Sequence, residues 1–205
     1  KIIRVPRHMR SKFCVRKAVV LLSGGLDSAV TLAIAKKQGF KCHCLIFDYG
    51  QRHNREINSA RKIASAAGCE YELIKIKFPW KGSSLLDERI KLTESVKADK
   101  PGAIPATYVP ARNIIFLSFA LSYAETIRAG AIFIGAHQQD YSGYPDCRKE
   151  FFRSLRPVVA HGTKTGAQRG SIRIITPLIN KGKSQIIKLG KRMGVDFKLT
   201  WSCYN

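Results

Sequence analysis

No apolar run in this sequence approaches the roughly 18 residues of a membrane span, and the short "AVVLL" after the basic opening is too brief for a secretory hydrophobic region. A cytoplasmic enzyme is therefore the default expectation. No Cys-x-x-Cys pair occurs, and the six cysteines (Cys14, Cys42, Cys44, Cys69, Cys147 and Cys203) stand at no framework spacing, which argues against a disulfide-stapled secreted domain. They read as thiols. Cys42 and Cys44 share one face of an expected strand, where packing of small side chains in the core is a better account than a metal pair. Acidic residues are scarce: 14 Asp and Glu stand against 36 Lys and Arg, a net charge of +22. Such a field attracts nucleotides, nucleic acid or anionic surfaces without choosing among them. The opening "KIIRVPRHMRSKFCVRK" contains no acidic residue at all. Residues 1–17 read as a basic leader expected to be disordered; a polyanion-binding arm, a transit-like leader, or sequence upstream of a start at Met9 are the other readings.

What is present is a chain long and apolar enough for a core. At 205 residues and 45% hydrophobic content, one α/β domain is the economical expectation. Periodicity alternates strand and helix: strands at 18–22, 42–47 and 71–78, "AIFIGA" and "SIRIITPL", with helices over 28–38, 54–67, 113–128, 148–159 and 183–193. Glycines 39, 68, 130 and 194 are read as the helix stops. Between the third strand and the third helix, residues 79–107 break the rhythm as an irregular insertion, rich in Gly, Ser and Pro. Strands separated by helices require right-handed crossovers, so the expected fold is a doubly wound, mainly parallel five-stranded sheet with helices on both faces. In such sheets ligands bind beyond the carboxyl ends of the strands, where the winding reverses. The segments there are "SGGLDS", "DYGQRH" and "HQQDYSGYPDC".

The first of these is built to hold an anion. Gly24 and Gly25 allow positive φ and close approach, Ser23 and Ser28 supply hydroxyls, and the amides opening the next helix point partial positive charge at the same space. A phosphate fits. Asp27 would repel a bare phosphate, so it points to a Mg²⁺ ion bridging carboxylate and phosphates. The alternative is a plain strand-to-helix turn capped by Asp27 or Ser28. The glycine placement matches neither the Walker nor the dinucleotide fingerprint, and the Walker lysine is missing.

"SGGLDS" resembles the signature loop of the PP-loop ATP pyrophosphatases, and so implies a Rossmann-like PP-loop fold. Together with "FDYGQRHNREI", "TYVPARNIIFLSFA", "GAHQQDYSGYPDCR", "TPLINKGKSQIIKLG" and "TWSCYN", the chain from Ala18 onward is similar to the 7-cyano-7-deazaguanine synthase family of queuosine biosynthesis. That resemblance implies an ATP-dependent ligase acting on 7-carboxy-7-deazaguanine and ammonia. It implies a PP-loop domain over 18–200, with Ser23, Gly24, Gly25, Leu26, Asp27 and Ser28 on the ATP phosphates with Mg²⁺, and Asp48 near the adenosine. Arg112 is expected to neutralise charge at the α-phosphate, a helix-start salt bridge being its competitor. For the deazaguanine, Asp140 or Asp146 offers a carboxylate to the guanine-like edge, Tyr141 and Tyr144 offer stacking, and Gly143 offers close passage. Gln51, Arg52 and His53 belong to the same expected pocket, with the choice of His53 or His137 as a base left open; His137 stands where relatives often carry Asn, so His137 and Gln138 have no assigned role. The family continues past "WSCY" into "CGxCxxC", a tetrahedral zinc site. Only Cys203 of that set is present, so 201–205 read as the start of a truncated zinc-binding segment and the chain as a fragment. Zn²⁺ is expected only with the complete motif. A PP-loop enzyme modifying tRNA and a non-catalytic nucleotide- or base-binding relative remain alternatives; a homodimer stays open, no membrane is expected, and nucleic acid is expected to bind only non-specifically.

Overall fold

The computed structural model describes residues 16–51, 54–80, 83, 104–105, 107–137 and 143–201. Its strands are β1 (Lys17–Leu21), β2 (Lys41–Asp48), β3 (Glu70–Lys75), β4 (Ala131–Phe133) and β5 (Arg173–Ile175). Six helices are described: α1 (Leu26–Lys37), α2 (Asn54–Ala66), α3 (Arg112–Ile127), α4 (Lys149–Gly162), α5 (Lys164–Arg169) and α6 (Lys183–Arg192). Short 3₁₀ turns occupy Pro145–Cys147 and Phe197–Leu199. The strand order is β3-β2-β1-β4-β5 and every pairing is parallel. The doubly wound sheet expected from the sequence is the one observed.

Alternation along β1 sorts the core. Val19 and Leu21 face a layer completed by Leu117, Ala120 and Ala124 of α3 and by Phe152 and Val159 of α4. Ala18 and Val20 face the opposite layer, with Ala29 and Leu32 of α1 and Ile57, Ala60 and Ile63 of α2. Both faces are therefore covered, as a parallel sheet requires. Cys42 and Cys44 are buried in this second layer, so the expectation that they pack in the core holds. Across α1 from the sheet, Leu26, Val30 and Ile34 pack on Leu178 and Ile186, which seats α6 beside α1.

Three local departures have physical causes. α3 ends on Arg128, which adopts φ 57° itself, two residues before Gly130. α4 continues through Pro157, and a separate α5 follows it, its start capped by Thr163 Oγ1 accepting from the Gly166 amide at 2.9 Å. The fold also takes in the last two residues of the segment read as leader, at the edge of the core. Lys17 pairs with Lys41 in β1–β2, and the Arg16 guanidinium donates to the Gln38 carbonyl at 2.6 Å while lying 4.7 Å above the Phe40 ring.

Candidate functional site

The winding reverses between β1 and β4. The chain moves outward through β2 and β3 along one face and returns to β4 and β5 along the other, so the crevice lies above the carboxyl ends of β1 and β4. The segments 22–28 and 134–137 stand there. Gly24 adopts φ 87°, and a Cβ on it would lie 2.3 Å from the Glu56 carbonyl oxygen and 2.9 Å from the Ala60 amide nitrogen of α2. Only glycine meets both demands. Gly25 is different: its φ of −80° is ordinary, and it serves as the N-cap of α1 with no side-chain cap on the helix. The expected positive φ therefore belongs to Gly24 alone. Ser23 and Ser28 bridge the turn, Oγ to Oγ at 3.2 Å, and Ser28 also donates to the Gly25 carbonyl at 2.9 Å. The capping role weighed for Asp27 and Ser28 is thus not what orders this turn; the first amides of α1 face the crevice without a side-chain acceptor.

Asp27 stands beside this turn between Lys183 and His137. Lys183, at the start of α6, places Nζ 3.1 Å from Oδ2 and 3.4 Å from Oδ1. His137, after β4, places Nε2 3.5 Å from Oδ2 and is itself only 6% exposed. Burial alone would push the Asp27 carboxyl up, but the hydrogen bond to His137 and the Lys183 ammonium hold it below its ordinary value. It is a carboxylate at neutral pH. The two elements can approach because residue 135 is glycine: a Cβ there would lie 3.1 Å from the Asp27 carbonyl group and 3.2 Å from Thr31 Oγ1. Lys183 was not singled out in the sequence, although "NKGKSQ" after the fifth strand was a cue that a lysine opens a helix at the same end of the sheet.

A second cluster forms beyond β2. Asp48 closes that strand, its Oδ1 accepting from the Gly50 amide at 3.4 Å. Gln51 turns back on the same segment: its Oε1 accepts from the Tyr49 amide at 2.9 Å and its Nε2 donates to the Phe47 carbonyl at 3.1 Å. Its carboxamide thus shapes the turn. Arg112, opening α3, donates to the Tyr49 hydroxyl at 3.1 Å. Burial opposes its charge, yet the oxygen of Tyr49, with Cys147 and Asp146 nearby, raises its hold on the proton. No carboxylate forms a salt bridge with it among the described residues.

Asp146 is 4% exposed, and its Oδ2 accepts from the Asn113 amide at 2.9 Å. Asn113 Nδ2 in turn donates to the Asp146 carbonyl at 3.2 Å and to Cys147 Sγ at 3.1 Å. The Asp146 carboxylate therefore caps α3 and fixes the backbone beside Arg112. Tyr144 hydrogen-bonds to Thr107 through their hydroxyls at 2.7 Å, and its ring lies 6.1 Å from that of Tyr108. Gly143 passes Pro105 so closely that a Cβ would lie 2.9 Å from its ring. The end of the 79–107 insertion and the "SGYPDC" segment are thereby joined. Arg52, His53, Gln138, Asp140, Tyr141 and Cys203 lie outside the described residues. Among the described residues no three His, Cys, Asp or Glu side chains group to hold a metal ion, and no helix is long and apolar enough to cross a membrane.

The model of the family described as "Queuosine biosynthesis protein QueC" matches residues 17–205. The chain belongs to the QueC family. Among curated relatives, 7-cyano-7-deazaguanine synthase of Acaryochloris marina is 51% identical over 191 residues, covering 92% of this chain and 84% of the relative. That of Trichormus variabilis is 49% identical over 192 residues, covering 92% and 85%. QueC family membership thus accords with a nitrile-forming synthase of queuosine biosynthesis. The NMN synthetase of Francisella tularensis superposes with a TM-score of 0.50 at 17% identity, covering 91% of this chain and 65% of that structure. This last likeness shows the shared α/β fold alone.

Proposed function

We propose that the crevice above β1 and β4 carries an ATP-dependent ligase reaction that converts 7-carboxy-7-deazaguanine and ammonia to 7-cyano-7-deazaguanine. A carboxylate is a poor electrophile because oxide would have to leave. Attack of its oxygen on the α-phosphate of ATP expels pyrophosphate and leaves an acyl adenylate, from which ammonia displaces AMP to give the amide. Activation of the amide oxygen by a second ATP, followed by loss of AMP, gives the nitrile.

The observation that carries this reading is the Asp27 carboxylate set between Lys183 and His137 beside the uncapped start of α1. The loop amides and the hydroxyls of Ser23 and Ser28 suit phosphate oxygens. Asp27 suits a divalent cation shared with phosphates, since Mg²⁺ commonly takes one or two carboxylates plus substrate oxygens. When bound there, Mg²⁺ supplies neutralisation of phosphate charge. Lys183 adds a cation on the same side, and Leu26 anchors the loop by packing into the α1–α6 interface. Arg112 presents a charged guanidinium from a rigid helix start, with Asp146 and Asn113 holding that start in place. Asp48 and Gln51 close the β2 end, and Tyr144 and Gly143 form the wall that the deazaguanine would meet.

The test is mass spectrometry of the products formed from 7-carboxy-7-deazaguanine, ammonium and Mg·ATP. The expected result is the nitrile with AMP and pyrophosphate; release of ADP, or no deazaguanine product, overturns the reading. Asp27→Ala should reduce AMP formation by at least about 10²-fold, the size of effect seen when a charge-stabilising group is removed, with an unchanged circular dichroism spectrum.

A further inference from the structure

The described part of the segment after α6 reaches the phosphate loop. The Trp201 amide donates to the Gly24 carbonyl at 2.9 Å, and its own carbonyl oxygen would lie 3.6 Å from a Cβ on Gly25. From the other side the Arg55 guanidinium lies 5.0 Å from the centre of the Trp201 ring. The indole Nε1 is buried and has no hydrogen-bond partner among the described residues. Gly24 is thus held three ways: by its positive φ, by the backbone of α2 at Glu56 and Ala60, and by the hydrogen bond from Trp201.

We propose that Trp201 is a positioning residue for the phosphate loop: its backbone N–H fixes the Gly24 carbonyl so that the amides of the turn face the ligand, and its ring keeps Arg55 and the start of α2 against the loop. The Gly24 carbonyl would otherwise be free to rotate toward the crevice, where it would oppose phosphate oxygens with an acceptor. Anchorage by a residue 177 positions later ties ATP affinity to the placement of the chain after α6. No group in this arrangement touches the reacting atoms, so its effect belongs to ATP binding and not to discrimination between deazaguanines. The inference rests on the ATP-binding reading above.

Two substitutions separate the amide from the ring. Trp201→Ala removes the ring and keeps the N–H; Trp201→Pro removes both, and Thr200 already has the extended backbone, φ −85° and ψ 147°, that a following proline requires. Trp201→Phe is the conservative control. Titration calorimetry with Mg·ATP should give a dissociation constant about three- to tenfold weaker for Trp201→Pro than for Trp201→Ala, the range of one hydrogen bond, and near wild type for Trp201→Phe. KM for 7-carboxy-7-deazaguanine at saturating ATP should not move. In a Trp80→Phe background, which leaves Trp201 as the one indole, ATP should change the emission of the folded protein. Equal ATP affinity in all three variants with unmoved emission overturns the proposal. Wild-type protein that binds no Mg·ATP overturns the ATP-binding reading, and the proposal falls with it.

Discussion

His43 shows how one buried side chain can set a pH limit far from the crevice. It lies in β2, 5% exposed, with Nδ1 3.2 Å from Glu70 Oε2 and its ring edge-on to Tyr123 at 6.4 Å. Desolvation disfavours the imidazolium; Glu70 opposes that, while Lys41 and Lys17 reinforce it, and the net result is a value below the ordinary 6.5. The sign follows from linkage. A histidine whose folded value is depressed contributes stability that is fully present above 6.5 and is lost as pH falls through the folded value, because the unfolded chain takes up the proton first. The melting temperature should therefore fall on acidification from pH 7 to about 5, and His43→Gln should fall less over the same interval. An equal fall in both proteins would place the acid-sensitive group elsewhere. The thiols nearby follow the same logic of neighbours. Burial pushes Cys42 up to about 12, whereas a hydrogen bond from Cys44 brings the half-buried Cys69 down to about 7.

At the scale of elements, the glycine turn is where sequence and structure agree most closely. A buried strand running into "SGGLDS" and an apolar helix is legible because strand, turn and helix are each specified by adjacent residues. The partner of that turn was not legible: nothing local says that α2 would lie against Gly24, since that contact depends on the whole sheet being assembled. Gly24→Ala tests it. The left-handed backbone costs an L-residue about 1–2 kcal/mol, and a methyl 2.3 Å from the Glu56 carbonyl adds the displacement of α2, for a combined loss of about 2–5 kcal/mol in urea unfolding. A loss below about 1 kcal/mol with normal ATP binding would mean that α2 does not rest on the turn. α5 escaped the sequence for a related reason. "HGTKTGAQRG" falls in no expected element, and its three glycines disfavour a helix, yet Gly166 is there to let two helices meet: a Cβ on it would lie 2.2 Å from the Ala160 carbonyl oxygen. Asp146 is, with Asp140, one of two carboxylates expected to meet the guanine-like edge, because such an edge presents N–H donors. Its use by the Asn113 amide is a tertiary contact that no local pattern encodes.

For the molecule as a whole, the parallel order of strands was legible from the alternation of helix and strand, because right-handed crossovers leave few topologies. The charge was legible as a number but not as a function. At +22 the surface must attract polyanions, and the question is whether any RNA is recognised or merely condensed upon. The crevice is built at the sheet's switch point from Asp27, Lys183, His137 and the glycine turn. Among the described residues, the cations sit on several elements: Lys149, Arg153 and Arg156 on α4, Lys188, Lys191 and Arg192 on α6, and Arg61 and Lys62 on α2. Spread over separate elements, they offer neutralisation without the fixed array of base-edge donors that sequence readout needs. Binding of tRNA should therefore be electrostatic. Its affinity should fall steeply and linearly in log–log form as salt rises, because each neutralised phosphate releases counterions, and an unrelated RNA of equal length should follow the same line. Filter binding across a salt series with tRNA and such a control decides it. A tRNA complex that persists at high salt while the control dissociates would show specific recognition, and would move the reading of the crevice toward a tRNA-modifying PP-loop enzyme.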